Sequence, residues 1–231
     1  YDRSSLKLTK DQINSYLNQG KKPHWRFRLE DKIIKWNDLI KGEVSFDSKK
    51  LSDPILIRED GRLLYHLPSV IDDIEEQITD VIRGEDHITN TAFHIQIFEA
   101  LKKPIPSFGH HPFLTDSQGK GFSKRIGSVS IKHLRKIGFE NITLLNYLLT
   151  VGTSKNFKKE KNIHNLVKDF TIKSLATSSP KFSIEVLKNF NKDILKSYEF
   201  SEINTKLSDL NIKGATGDFW VFVKNNINFM P

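Results

Sequence analysis

The chain has 231 residues, 37% of them apolar, which is enough for one large or two ordinary folded domains and excludes a disordered tail. A total of 36 Lys and Arg against 28 Asp and Glu leaves a formal charge of +8, a balance that favours a polyanionic partner such as a nucleic acid. There is no cysteine, so a disulfide framework, a thiolate metal site and a thiol nucleophile are all excluded. No apolar run approaches the roughly 20 residues that span a bilayer, and the opening residues do not make a signal peptide, so a cytoplasmic location is expected. Met230 is the only methionine, and the sequence is accordingly expected to be an internal piece of a longer protein.

"LTKDQINSYLNQG" has helical spacing: Thr9 and Gln12 make a capping box, Ile13, Tyr16 and Leu17 share one face, and Gly20 closes the end. That apolar stripe is expected to be core. "HWRFRL" alternates Trp25, Phe27 and Leu29 with His24, Arg26 and Arg28, the period of a strand with one basic face. "GEVSFD" and "PILIRE" continue as strands. "EDGR" ahead of "LLYHL" reads as a hairpin turn with Gly61 at positive φ, so the first 70 residues are expected to be mostly β.

From Ser69 the elements alternate: "SVIDDIEEQ" is helical, "DVIRGE" a short strand and "TAFHIQIFEALKK" helical, the order of an α/β sheet. Ligands of such sheets collect at the carboxyl ends of the strands, which points to "RGEDH", Arg83 to His87. "SIKHLRKIG" and "ITLLNYLLTVG" are helices ended by Gly138 and Gly152. "TSKNFKKEKN" reads as a charged linker at a domain boundary, and the segments after it make an all-α C-terminal third.

Several stretches carry chemistry. "GKGFSKRIGS", Gly119 to Ser128, lacks the spacing of a Walker loop, but Lys120, Lys124 and Arg125 can neutralise a polyphosphate while its glycines let the backbone move. A solvated basic loop is the competing reading. Asp72, Asp73, Glu75 and Glu76 fall on a helix surface and read as a solvated acidic face ahead of a metal site. His110 and His111 are adjacent in an extended segment, point apart and read as packing residues rather than zinc ligands. Arg83, with Tyr65 at the end of the preceding hairpin strand, suits a carboxylate ligand held by bidentate charge-assisted bonds; an internal pair with Glu85 is the alternative. Trp25, Arg26 and Arg28 fit RNA stacking or a half-buried strand equally well.

"YDRSS", "DLIKGEVSFD", "DGRLLYHLPSVIDD", "VIRGEDHITNT", "GFSKRIGSVSI" and "LLNYLL" stand in the order in which the glutamyl-tRNA synthetases carry similar motifs, and the chain resembles that class I family over residues 1–155 strongly and over the rest weakly. The resemblance implies an α/β Rossmann-type catalytic half with an inserted α+β acceptor-binding subdomain, followed by an all-α domain. Residues 1–67 would be the acceptor-stem-binding insertion, 68–157 the second catalytic half with a KMSKS-like loop, and 158–231 the start of a helical anticodon-binding region. "GFSKR" looks like the KMSKS loop, with Gly121 where lysine is common and Lys120 one residue earlier. By the same resemblance Lys124 is the catalytic cation, Ser123, Lys124, Arg125, His87 and Asp86 meet ATP, and Tyr65 and Arg83 hold glutamate, with no metal site in the protein. The implied activity is a glutamate-tRNA ligase using ATP with Mg2+, L-glutamate and tRNA(Glu), with tRNA(Gln) as a second acceptor. A monomer that does not meet a membrane is expected. No HIGH signature is present, so this piece alone is expected to be inactive. The rival readings are a non-catalytic tRNA-binding module derived from a synthetase and, ranked last, a paralogue that glutamylates a tRNA nucleoside.

Overall fold

A computed structural model of the chain describes residues 2–121, 130–153 and 158–230. Contacts divide it into two compact units, Tyr1–His111 and Pro112–Pro231.

In the first unit, helix α1 (Lys10–Asn18) starts where the sequence places it: Thr9 Oγ1 accepts from the Gln12 amide and Gln12 Oε1 from the Thr9 amide, completing the capping box. Its apolar stripe is not core, however. Ile13, Tyr16 and Leu17 are 41–49% exposed, and no residue of α1 is buried. Strand β1 is only Trp25–Arg26, paired antiparallel with β4 (Ile55–Ile57), and Trp25 lies 65% exposed. The expected longer strand gives way to a side-chain clamp. Buried Asp53 accepts from the Leu29 amide and receives both Nε and Nη2 of Arg3, a fork-to-fork pair that replaces ladder bonds.

Strands β2 (Ile33–Asp38) and β3 (Gly42–Asp47) form a hairpin. Ile34, Trp36 and Asp38 share one strand face, and Ile34 and Asp38 are buried there. The "EDGR" turn forms with Gly61 at φ 84°, but the chain after it makes only a single bridge, Leu63 to Ile57, before α2 (His66–Glu75) begins. Tyr65 therefore stands at the helix N-cap and not in a strand.

Strand β5 (Asp80–Gly84), helix α3 (Ile88–Ala100) and strand β6 (Ser107–His111) form a β-α-β unit whose two strands pair in parallel, so the unit is α/β. Its core joins Val70 of α2, Ala92, Ile95 and Phe98 of α3, Phe108 of β6 and Ile34 of β2. The hairpin end seats on β6, where the Leu39 amide donates to the Phe108 carbonyl at 2.8 Å. Gly109 permits that approach: a Cβ there would stand 2.8 Å from Ile82 Cδ1 and 3.3 Å from Leu39 Cβ.

The described elements of the second unit are helices α4 (Ile131–Lys136), α5 (Asn141–Val151), α6 (Ile163–Asp169), α7 (Ile184–Ser197), α8 (Phe200–Asp209) and α9 (Gly217–Val223), with a short 3-10 turn at Ile172–Ser174 and a few isolated bridges. Tyr147 of α5 and Leu187 of α7 are fully buried in one cluster with Phe182 and Phe190. Glu160 exchanges backbone bonds with the Asn146 amide group of α5, Lys159 pairs with Asp193 of α7, and Lys161 pairs with Glu202 of α8 at 2.6 Å. Lysines of this charged stretch are thus tethers to the helices around them. Among the described residues no helix is long and apolar enough to cross a membrane.

Candidate functional site

The carboxyl end of β5 places Arg83 at the meeting point of four other elements. Its Nη1 donates to Tyr65 Oη at the N-cap of α2 (2.9 Å), Nη2 to Thr91 Oγ1 in the first turn of α3 (2.6 Å), and Nε to His110 Nε2 on β6 (3.3 Å). The fourth contribution is indirect: Asp38, at the end of β2, meets His110 Nδ1 with its Oδ2 at 2.5 Å. The face of the Phe108 ring lies 5.5 Å from the guanidinium carbon and completes the lining.

Donor and acceptor roles follow from the chemistry. Arg83 Nε–H can only donate, so His110 Nε2 must present a lone pair, and the single imidazole proton sits on Nδ1, facing the carboxylate. Thr91 Oγ1, which accepts from Arg83, has two acceptors within reach of its own proton, His110 Nε2 at 2.9 Å and the His87 carbonyl at 3.4 Å. Asp38 is almost completely buried, and burial works against its ionisation. Bonds from the Lys41 amide, the His110 ring and amide and the Ile40 amide outweigh burial and hold the carboxyl below the usual range. Burial pushes the His110 imidazole down, partly offset by Asp38.

Burial also lowers the pKa of the Arg83 guanidinium, with Tyr65, Asp73 and Asp86 acting the other way, and an arginine nevertheless stays charged. Among the described residues its hydrogen-bond partners are all uncharged. Glu85, the acid proposed as an internal partner for Arg83, instead gives its carboxylate to Lys41 at 2.6 Å. A partly desolvated cation with only neutral partners has the chemistry to receive an anion.

Two of the three guanidinium nitrogens face the protein. Nε and Nη2 are committed inward. Nη1 remains at the solvent-facing edge beside Tyr65, which is 45% exposed. Because Tyr65 Oη accepts from Nη1, its own proton points elsewhere, and the outward pair of donors is one arginine N–H with one phenol O–H.

The Tyr65 ring rests among imidazoles, 5.3 Å from His87 and 5.5 Å from both His66 and His94. His94 is fully buried, neither ring nitrogen has a partner among the described residues, and burial, reinforced by Arg83, drives its pKa down to about 3. It is a neutral packing ring. His87 shares its Nδ1 with Asn90 Nδ2 at 3.0 Å and lies 3.7 Å from Asp86; both stand just ahead of α3.

Tyr65, Arg83, Asp86 and His87 are therefore brought together. Ser123, Lys124 and Arg125 lie outside the described residues. Leading to them, Asp116 caps a turn by accepting from the Gln118 and Lys120 amides, and Gly121 bridges to Thr115. Among the described residues no group of three or more His, Asp or Glu can hold a metal ion.

Asp38, Thr91 and His110 escaped the sequence reading as members of this network. One signal was available: Asp38 occupies the inward phase of the strand set by Ile34 and Trp36, and an acid on a core-facing phase needs buried partners.

The profile of class I tRNA synthetases (E and Q), catalytic domain, matches residues 1–189. Glutamate–tRNA ligase 1 of Rickettsia bellii (strain OSU 85-389) is 42% identical over 228 residues, covering 98% of this chain and 51% of the relative. Glutamate–tRNA ligase 2 of Bartonella bacilliformis is 42% identical over 239 residues, covering 99% of this chain and 52% of the relative. Among solved structures, a glutamate tRNA ligase from Elizabethkingia meningosepticum in complex with its amino acid aligns with a TM-score of 0.82 at 26% identity, over 98% of this chain and 50% of that one. The chain spans about half the length of the curated relatives it matches.

Proposed function

The chain belongs to the class I tRNA synthetase (E and Q) catalytic-domain family, and from that premise we propose that it serves a glutamate–tRNA ligase as its glutamate-holding part. The α-carboxylate of glutamate attacks the α-phosphate of ATP and pyrophosphate leaves; a hydroxyl of the 3′-terminal adenosine of tRNA then takes the acyl group from the adenylate and AMP leaves. No covalent enzyme intermediate is needed, and positioning and charge stabilisation supply the rate.

Arg83 and Tyr65 bind the glutamate carboxylate that does not react. The reacting carboxylate has to reach phosphorus and lose its charge, whereas a partly buried guanidinium needs a permanent counter-charge. Ser123, Lys124 and Arg125 meet the ATP phosphates, Lys124 as the cation delivered to the leaving pyrophosphate, and Asp86 and His87 lie beside the nucleotide. Mg2+ arrives with ATP, as its habit of binding phosphates with few protein ligands suggests. The finer architecture belongs to the same reading: a Rossmann-type half at 68–157, an acceptor-binding insertion at 1–67, and the start of an anticodon-binding helical region at 158–231. tRNA(Glu) is the acceptor, with tRNA(Gln) as a second one, and the protein works in the cytoplasm as a monomer.

One observation carries the reading: Arg83, at the carboxyl end of β5, is partly desolvated and bonded to neutral groups, with a phenol beside its outward edge. Calorimetric titration of the chain with L-glutamate tests it. Saturable binding that Arg83→Ala abolishes is expected. No binding, or binding indifferent to that substitution, rejects the site.

A further inference from the structure

We propose that Asp38 and His110 form a relay that positions Arg83, with Asp38 fixing the tautomer of the neutral imidazole that stands between them. The proposal rests on the anion-receptor reading of Arg83 but concerns residues that do not touch the ligand.

Asp38 is the fixed end. Its Oδ1 is held by the amides of Ile40, Lys41 and His110, and Trp36 Nε1 reaches Oδ2 at 3.3 Å, so the carboxylate cannot turn. Oδ2 then selects the His110 tautomer by taking Nδ1–H. The consequence appears on the far side of the ring, where Nε2 is left as an acceptor for Arg83 Nε and Thr91 Oγ1. These bonds turn Nε and Nη2 inward and leave Nη1 to meet Tyr65 and a ligand.

Both other states of the ring would undo this. The Nε2–H tautomer sets donor against donor at Arg83 and leaves Asp38 without its ring partner. An imidazolium adds a second positive charge against the guanidinium. The charged or titratable groups acting on His110 are Asp38 from β2, Arg83 from β5 and His87 ahead of α3, and only Asp38 draws a proton toward the ring. Trp36 and Phe108, the aromatic rings beside it, do not titrate in this range. The fully buried Asp38–His110 pair therefore acts on the receptor through the ring: His110 takes Nε–H and leaves Nη1 at the outward edge.

The test is nitrogen NMR on this chain. At pH 7 long-range proton–nitrogen correlation should show His110 neutral with Nδ1 protonated, and Arg83 Nε–H should exchange slowly enough to be observed. An imidazolium or an Nε2–H ring overturns the relay without any variant having to fold. In His110→Phe, Arg83 Nε–H should exchange at the rate of an exposed arginine and L-glutamate affinity should fall at least tenfold. His110→Gln, whose side-chain carbonyl can still accept from Nε, should recover part of both. An Nε–H exchange rate unchanged in folded His110→Phe overturns the proposal. If the unaltered chain does not bind L-glutamate, the ligand assignment fails, while the tautomer and the Arg83 exchange rate still decide the relay.

Discussion

Lys41 Nζ stands 2.6 Å from Glu85 Oε2, and this pair, built from the β2–β3 turn and the segment after β5, directs the carboxylate two residues beyond Arg83 toward another cation. Both side chains are largely shielded from solvent, so the pair is screened less than an exposed one. Its position gives it a functional consequence. Lys41→Met should release Glu85 to compete for Arg83 and weaken L-glutamate binding about five- to tenfold, on the scale of about 1 kcal/mol for one charged hydrogen bond. The double variant Lys41→Met/Glu85→Gln should restore it, which titration calorimetry of the four proteins of the cycle would show.

Tyr65→Phe removes the phenol donor and one partner of Arg83 Nη1 while keeping the ring among its imidazoles. A loss of about 1 to 1.5 kcal/mol in L-glutamate binding is expected. Arg83→Lys should lose more despite keeping the charge, because an ammonium cannot bond Tyr65, Thr91 and His110 from one rigid plane. L-glutamine should bind weakly to all three proteins, and equal affinity for L-glutamine and L-glutamate in the unaltered chain would contradict the carboxylate assignment.

His94 makes stability depend on pH. In the unfolded chain it takes up a proton below about pH 6.5, whereas in the fold it stays neutral down to about pH 3. The unfolded state binds the extra proton across that window, so stability falls as pH drops from 6.5 toward 3. His66 and His110, also lowered by burial, act with the same sign. His94→Phe should flatten the slope by up to about 1.4 kcal/mol per pH unit, read from urea midpoints between pH 4 and 6.5.

Gly109→Ala should destabilise the first unit by about 1 to 3 kcal/mol, because the new methyl meets Ile82 Cδ1 at 2.8 Å and the seated Leu39 at 3.3 Å. Chemical denaturation reads the loss. Since Gly109 adjoins His110, the L-glutamate affinity of the folded variant should fall as well.

Lys124→Ala, in a longer protein competent for charging, should slow glutamyl-adenylate formation by the equivalent of about 2 to 4 kcal/mol of transition-state stabilisation. Pyrophosphate exchange measures that step directly. An unchanged exchange rate removes Lys124 from the chemistry.

Periodicity and caps alone located α1, the alternation after Ser69 and the carboxyl end of β5, because these depend on residues a turn or a pleat apart. The motif order named the family, and Arg83 and Tyr65 were legible as a pair because each ends or begins an element at that edge. The same local logic failed for Ile13, Tyr16 and Leu17, whose shared face says that they can be buried but not that anything covers them. It also lengthened β1, since nothing near Trp25 in sequence reveals that Arg3 and Asp53 hold the chain at Leu29.

The sequence by itself determined which elements form, which side chains carry charge and which family the motifs belong to. Only the tertiary structure decided the pairing of those charges: Glu85 with Lys41, Asp38 with His110, and Arg83 with neutral groups. The reason is physical. Helical and strand periods are set within a few residues, whereas a hydrogen bond or an ion pair depends on a separation of about 3 Å that a sequence distance of 72, as between Asp38 and His110, leaves open until the hairpin seats on β6.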